Sequence, residues 1–215
     1  MPKSPQRLDL TARYVSDADL RGWDLRESDL TGAKFHRVSL EGSDLRGATL
    51  FFADFYHVDF QGADLRGCRM HQVVMQDCVL ADARLALADL SYAYVHSNNF
   101  NRADLSMARI AGMKAPLASF DGANLTGAVA SDETYLGAAT FRDANLTMAA
   151  LAGVSMPHAD LRGACLSGAD LRGADLSHAD LRGADLREAQ MDGCNLSDAR
   201  VDDWRPDVSK APEAS

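Results

Sequence analysis

A large apolar residue recurs at every fifth position along most of this 215-residue chain. Between positions 20 and 130 it occupies 21 of 23 places, the exceptions being Ala115 and Ala130. The frame then slips by one residue, and all 14 places between positions 136 and 201 are again large and apolar. A period of five fits neither the 3.6-residue turn of an α-helix nor the two-residue alternation of a β-strand. Each five-residue unit must therefore turn a corner.

The other positions of the unit repeat as well. If the large apolar residue is position i, then i−2 is mostly alanine, i−1 is mostly Asp or Asn, and i+2 holds 15 of the 16 glycines. Two inward residues, one large and one small, followed by a turn that glycine favours, describe one side of a polygonal coil. Successive coils would stack by backbone hydrogen bonding, as they do in solenoid proteins.

The pattern resembles the A(D/N)LXX motif of the pentapeptide-repeat family, most clearly in GADLRGADLSHADLRGADLRE at 168–188. The match covers roughly residues 8–201. The resemblance implies an all-β fold, a right-handed quadrilateral parallel β-helix with four units in each coil and about ten coils. We expect an N-terminal lead-in over 1–7, a single β-helix over 8–203 with a one-residue insertion near 131–135, and a short polar tail over 204–215.

The interior of such a coil is filled by Leu and Ala and leaves no cavity for a substrate. Cys68 and Cys78 occupy i−2 positions, so we expect small core residues there rather than a disulfide or a metal pair. Trp23 and Trp204 lie near the two ends and are interpreted as caps of the open coils. The sequence contains no paired nucleophile and base and no phosphate loop. We therefore expect no enzyme, with no catalytic residues, no cofactor and no metal site.

Charge and hydropathy narrow the range of partners. The net charge of −9 argues against direct binding of nucleic acid. The apolar runs are too short for a transmembrane helix, and the N-terminus lacks the apolar stretch of a signal peptide. Four cysteines without metal-ligand spacing are typical of free thiols in a reducing compartment. A cytoplasmic protein without membrane contact is the expectation.

With four units in a coil, residues 20 apart share a face, and we name the faces after Leu20, Leu25, Leu30 and Phe35. The Leu20 and Leu25 faces carry Asp at i−1 and Arg at i+1, whose charges largely cancel. These aspartates are either a candidate acidic face for a partner or simply the solvated surface of the repeat. The residues of the candidate acidic face are Asp19, Asp24, Asp44, Asp59, Asp64 and Asp104.

The Leu30 and Phe35 faces carry aromatic and histidine side chains at positions that should point outward. Five of the six histidines fall on the Phe35 face. An exposed aromatic cluster usually marks a contact surface, although some of these rings could instead pack onto the corners. The candidate patch, for a protein partner or for a homodimer, comprises Phe51, Phe52, Tyr56, His57, His71, Tyr92, Tyr94 and His96.

The repeat falters once, in the stretch GAVASDETYLGAATF, where one extra residue enters between Ala130 and Leu136. We expect a bulge or small loop there that carries Asp132 and Glu133. Loops on a rigid scaffold often carry function. A tolerated insertion without function explains the sequence equally well.

Two functions fit these features. The repeat and the length are similar to the branch of the family that includes the Qnr and MfpA proteins. That resemblance implies a DNA-mimicking protein that binds DNA gyrase or topoisomerase IV and protects it from poisons such as quinolones. The alternative is a scaffold or interaction module that binds an unknown partner through the aromatic and histidine patch. A DNA mimic needs one continuous negative face and should bind in a salt-dependent way, whereas an aromatic surface should respond less to salt.

Overall fold

The computed structural model describes residues 8–202. Its regular strands form one parallel sheet in chain order, in which each strand pairs with the strand 20 residues later. Val15 thus lies beside Phe35, and Phe35 beside Phe55. The strands are β1 (Tyr14–Ser16), β2 (Lys34–His36), β3 (Asp54–Tyr56), β4 (Val74–Gln76) and β5 (Tyr94–His96).

The other three faces pair through isolated bridges between residues 20 apart, or 21 apart where the bridge spans the insertion. These bridges run from the pair Asp9 and Asp29 to the pair Asp180 and Arg200. Because a unit has five residues and the partners lie 20 apart, each coil contains four units, which confirms the predicted four-sided β-solenoid. The five-stranded sheet itself spans only about four turns, and the later coils of the predicted ten pair through bridges alone.

A residue in the left-handed backbone conformation forms the corner of the described units, apart from the unit of Ala130 that carries the insertion. It stands at i+2, with φ between 52° and 73°, in 15 glycines and 22 other residues. Gly137 is the glycine that falls at i+1, and it has no such φ. Phe52 and Met107 adopt the corner conformation despite their side chains, with φ of 57° and 56°. Stacking of the coils therefore imposes the corner, and glycine only lowers its cost.

Backbone carbonyls satisfy most of the amides in a unit. Leu30 N and Gly32 N each donate to a carbonyl of the next coil at 2.8 Å. Lys34 N donates to a carbonyl of the preceding coil at 2.8 Å, and Ala33 N closes the turn at 3.0 Å. The amide of Thr31, at i+1, donates to a side chain instead. That exception decides the composition of the outer surface.

The core consists of the stacked side chains at i and i−2. Residues such as Leu25 and Ala33 are fully buried. Like residues lie over like, so that Phe35 stacks on Phe55 with ring centroids 5.2 Å apart, and Phe100 stacks on Phe120 at 4.8 Å. Each buried leucine contributes on the order of 1.5–3 kcal/mol to burial of apolar surface before the entropy cost is counted.

Polar side chains at i−2 bond to carbonyls of the neighbouring coil. Cys68 and Cys78 are buried core residues, as predicted, and burial raises the pKa of both thiols to about 12. Cys68 Sγ lies 2.9 Å from the carbonyl of Leu45. Asn98 is also buried at i−2, where its Oδ1 accepts a hydrogen bond from Cys78 N (2.7 Å) and its Nδ2 donates to the carbonyl of Met75 (3.1 Å). The sequence pattern did not identify Asn98 as a core residue.

Trp23 is half-buried and packs against the N-terminal end of the core, in keeping with its interpretation as a cap. The second predicted cap, Trp204, lies outside the described residues. The lead-in over 1–7 and the tail over 204–215 lie outside them too.

The one-residue insertion is accommodated by a buried threonine. Ser131 is the extra residue, because the turn closes from Thr134 N to the carbonyl of Ser131 at 2.9 Å, one residue later than the repeat requires. Thr134 Oγ1 donates to the carbonyl of Ile110 at 3.1 Å. The same oxygen accepts hydrogen bonds from Gly112 N at 3.0 Å and from Ser131 N at 3.2 Å. The Thr134 hydroxyl thus satisfies Ser131 N and shares Gly112 N with Ser131 Oγ, which lies 3.1 Å from that amide.

Thr134→Ala should destabilise the fold even though alanine is the usual residue at i−2. Loss of the hydroxyl removes the partner of a displaced amide, so we expect a decrease of about 1–3 kcal/mol in the free energy of unfolding. Ser43→Ala is the matched control. Ser43 Oγ donates only to the carbonyl of Leu20, which also accepts the amide of Trp23, so its loss should cost less. Denaturant unfolding measures both; equal losses would contradict the role of Thr134.

Candidate binding surfaces

The aspartates at i−1 hold the backbone of their own units. The amide of Arg21, at i+1, donates to Asp19 Oδ1 at 3.1 Å. An asparagine performs the same task in the unit where the amide of Thr126 donates to Asn124 Oδ1 at 3.2 Å. Since a neutral oxygen suffices, the repeat requires a hydrogen-bond acceptor at i−1 and not a negative charge.

Arginines at i+1 pair with these carboxylates. Arg46 donates two hydrogen bonds to Asp44, from Nε at 2.8 Å and from Nη2 at 2.6 Å, and its Nε lies 3.8 Å from Asp64 in the next coil. On the Leu25 face the i−1 column thus stacks Asp24, Asp44 and Asp64, and the arginines stand in the i+1 column beside it. Over these three coils the two signs alternate between the columns and not within either of them. The same bidentate pair within a unit joins Arg21 to Asp19, Arg26 to Asp24, Arg66 to Asp64, Arg162 to Asp160, Arg172 to Asp170, Arg182 to Asp180 and Arg187 to Asp185.

The six residues of the candidate acidic face fall into two groups. The arginine of the same unit pairs with four of them, Asp19, Asp24, Asp44 and Asp64. The other two serve the backbone, since Asp59 accepts the amide of Gln61 at 2.9 Å and Asp104 accepts the amide of Ser106 at 3.1 Å. In the part of the chain that the structure describes, these carboxylates do not add up to one uninterrupted negative face.

Pairing with arginine lowers the pKa of the ladder carboxyls. Side-chain hydrogen bonds from Arg26 lower the pKa of Asp24 to about 2. Hydrogen bonds from the arginines of their own units also lower the pKa of Asp180 and of Asp185 to about 2. These carboxylates are therefore ionised at neutral pH and held in place by their partners.

The later coils carry a shallow groove of about 400 Å³ on the Leu20 face, where each arginine is paired with aspartates of the same face. Its lining residues are Arg142, Asp143, Arg162, Gly163, Arg182 and Gly183. Among residues 8–202, no three His, Cys, Asp or Glu side chains are grouped so that they could hold a metal ion. Nor does that part of the chain contain a helix with the length and apolar character to span a membrane.

The Phe35 face carries the first of two aromatic columns, and its strands β2, β3 and β5 present the rings. His36 and Tyr56 stack with ring centroids 5.1 Å apart and planes 3° from parallel. The ring centroids of His57 and Tyr56 lie 4.0 Å apart. Tyr94 stacks on His96 of the same strand, with ring centroids 6.2 Å apart. The tyrosines are 38% and 44% exposed, so a partner can reach them. We call these five residues the Phe35-face column.

The second column lies on the Leu30 face. The ring centroid of Phe51 lies 6.5 Å from that of Phe52 and 6.4 Å from that of His71. The centroids of His71 and Tyr92 lie 5.4 Å apart. Phe52 and Tyr92 are 57% and 51% exposed. These four residues form the Leu30-face column. The structure thus brings the predicted patch together as two columns on adjacent faces instead of one cluster.

The insertion places Asp132 and Glu133 at an exposed turn on the Leu30 face. Asp132 lies against the next coil, where a side chain on Gly153 would approach Asp132 Cβ to 2.8 Å. The predicted loop is therefore present and packs on the coil that follows it. Its role stays a prediction.

An apolar ridge at the corner between the Leu25 and Leu30 faces was missed by the sequence analysis. Leu87, Met107 and Met148 stand there at i+2 positions and are 67%, 56% and 66% exposed. Met107 extends along the rod over Gly127, where an added Cβ would meet its sulfur at 2.5 Å. The signal was available, since a large apolar residue at i+2 stands where the repeat usually has glycine.

Comparison with known proteins gives a family and several structural relatives. A family model described as pentapeptide repeats, with 8 copies, matches residues 16–50, 38–72, 53–91, 134–173 and 164–203. No curated protein matches the chain.

Among solved structures, the chain is similar to HetL, a pentapeptide repeat protein involved in heterocyst differentiation regulation from the cyanobacterium Nostoc sp. strain PCC 7120. The two share 27% identity over 92% of this chain and 91% of that chain, with a TM-score of 0.55. Rfr23 from the cyanobacterium Cyanothece 51142 shares 18% identity over 53% of this chain and 91% of that chain, with a TM-score of 0.51. Full-length QnrB1, a plasmid-mediated fluoroquinolone resistance protein, shares 20% identity over 88% of this chain and 94% of that chain, with a TM-score of 0.37.

The paired carboxylates predict how stability depends on acid. In the folded chain the pKa of Asp24, Asp180 and Asp185 is about 2, below the ordinary value of 3.8. Their contribution is therefore complete above about pH 4 and is lost as the pH falls through about 2. We expect a melting temperature that is nearly constant from about pH 7 to 5 and that drops between about pH 4 and 2. Thermal melts at low salt test this; a steep fall already between pH 7 and 5 would contradict it.

Proposed function

We propose that this chain, which belongs to the pentapeptide-repeat family, is a non-enzymatic rod that binds a protein partner through its Phe35-face column. The observation that carries the proposal is the contrast between faces. On the Leu20 and Leu25 faces, most side chains at i−1 and i+1 bond to their own backbone or to one another. On the Phe35 face, exposed rings stack on one another and leave their edges and hydroxyls to solvent.

The chemistry of this column suits recognition of a protein. Tyr56 and Tyr94 offer large apolar area at a small cost in side-chain entropy, and each has a hydroxyl for a hydrogen bond. The neighbouring imidazoles can donate and accept hydrogen bonds as well. Because the strands beneath are locked into the sheet, the rings are pre-organised, which reduces the entropy cost of binding.

The relative HetL supports a binding function over a catalytic one. HetL is described as involved in regulation of heterocyst differentiation, and it shares the repeat over 92% of this chain. We infer a regulatory role exerted by protein contact. The process and the partner are not carried over from HetL.

The test is affinity capture from an extract of the source organism. Immobilised wild-type protein is compared with the double variant Tyr56→Ser, Tyr94→Ser and with a control, Thr126→Ala, Thr147→Ala, on the opposite Leu25 face. We expect the Phe35-face variant to retain at least about tenfold less of a specific partner, because interface tyrosines are frequent hot spots. The control should capture as wild type does. Equal capture by all three proteins would contradict the proposal.

A second candidate function is binding to DNA gyrase or topoisomerase IV by mimicry of DNA. It is favoured by the net charge of −9 and by carboxylates that recur in each coil of a straight rod. The arginine pairs weigh against it, because they break the negative face into alternating charges. It therefore ranks below binding through the Phe35-face column.

A supercoiling assay separates the two candidates. Purified protein is added to gyrase with and without a quinolone at two salt concentrations. Protection from the drug, or inhibition that weakens as salt rises, is expected of a DNA mimic. The absence of any effect at micromolar protein would exclude this candidate and leave the capture result unaffected.

A further inference from the structure

We propose that the Leu30 face binds the same face of a second copy of this chain, with the two rods antiparallel. The surface lies between residues 47 and 153. It differs from the Leu20 and Leu25 faces in its exposed apolar side chains, among them Phe52, Tyr92 and Val129. Soluble monomers rarely leave a contiguous apolar surface of this kind uncovered.

The two halves of this face differ in shape. The half nearer the N-terminus is bulky, because Phe51, Phe52 and Tyr92 project from it. The half nearer the C-terminus is flat along its i+1 column, where Ala111 and Ala152 stand. At the corner beside this column, the Tyr92 ring lies over Gly112 and Asp132 lies over Gly153. A two-fold axis that crosses the rod between the coils of Leu90 and Ile110 places the bulky half of each copy on the flat half of the other.

The charges of the face are complementary about the same axis. Asp89 and Arg109 stand in one column in adjacent coils, 3.9 Å apart. The two-fold axis between them sets Asp89 opposite Arg109 of the second copy, and the reverse contact follows by symmetry. The next coils out from the axis are those of Met70 and Ala130. There the axis sets the exposed Asp132 of the insertion opposite His71 of the second copy. Between residues 47 and 153, no two like charges oppose each other in the columns at i−1 and i+1.

The apolar ridge closes one edge of the contact. Leu87 and Met107 flank the axis and face one another across the two copies, while Met148 lies opposite the glycine corner at Gly47. These side chains are exposed in the single rod and would be removed from water in the pair. The insertion, with its turn packed against the next coil, lies along the other edge.

The available area is that of a weak, specific dimer. Six coils at about 4.8 Å give a length of about 29 Å, and the face with both corners is about 20 Å wide. The contact therefore buries about 600 Å² on each copy, or about 1,200 Å² in total, at the lower limit of specific interfaces. Such a dimer is expected to form at micromolar concentrations.

The arrangement also bears on the rest of the surface. Rotation about an axis that lies in the interface and crosses the rods leaves both Phe35 faces on the same side of the dimer. The two Phe35-face columns then form one composite surface. The dimer does not rest on the proposed partner contact, since a different face carries each.

Sedimentation velocity over about 1–200 μM tests the dimer. We expect wild-type protein to shift from monomer to dimer in this range. Ala111→Arg, in the centre of the face, should raise the dissociation constant by at least tenfold. Ala86→Arg makes the same exchange at the same i+1 position on the Leu25 face and should dimerise as wild type does. Arginine is common at i+1, so both variants should fold. A wild-type protein that stays monomeric, or equal loss in both variants, would overturn the proposal.

Cross-linking tests the register. In a background with Cys165→Ser and Cys194→Ala, Thr49→Cys and Ala150→Cys are combined and treated with a short bismaleimide. The two positions lie five coils, about 24 Å, apart within one chain, so a short linker can join them only between copies. We expect covalent dimer from this pair and little from Thr49→Cys alone or from Ala150→Cys alone, because in the proposed register the two copies of either position lie about 24 Å apart. The opposite result would overturn the assigned pairing, whatever the outcome of the capture experiment.

Discussion

The amide at i+1 is the one that the coil-to-coil ladder does not use, and the rest of the molecule follows from how it is satisfied. The backbone takes up the amides of Leu30, Gly32 and Lys34, so the side chain at i−1 must accept the amide of Thr31. Only a short side chain with an oxygen can reach it, which explains why Asp and Asn recur in that position. The negative charge of the rod is therefore first a consequence of backbone hydrogen bonding.

This constraint separates faces whose side chains bond to the backbone or to one another from faces whose side chains are left exposed. Where the acceptor is Asp, an Arg two residues later often pairs with it, as in Asp44 and Arg46, and the surface becomes a balanced lattice. Where the unit has no Asp or Asn at i−1, side chains such as Tyr94 and Phe52 are left at the surface without a task in the coil. The departures gather on the Leu30 and Phe35 faces, and both proposals rest on those faces.

The sequence predicted the fold well because the core has a strict period. The large residue at i, the small one at i−2 and the glycines at i+2 were enough to predict coils and buried Cys68. The surface was predicted less well. A periodic pattern assigns residues to faces, but it does not say how far a side chain extends along the rod, so the split into two columns and the ridge at Met107 appeared only in the structure. The hydroxyl of Thr134 likewise has no counterpart in the motif.

The central claim is that the acceptor at i−1, and not its charge, holds each coil. The most direct measurement is the melting temperature of a six-fold variant of the Leu25 face, in which Asp24, Asp44 and Asp64 become Asn and Arg26, Arg46 and Arg66 become Thr. This gives these units the Asn–x–Thr pattern that Asn124–Thr126 and Asn145–Thr147 already have on the same face. We predict unfolding within about 3 °C of wild type, and about 6 °C or more lower when the three aspartates become Ala with the same threonines. Equal destabilisation of the Asn and Ala variants would contradict the account.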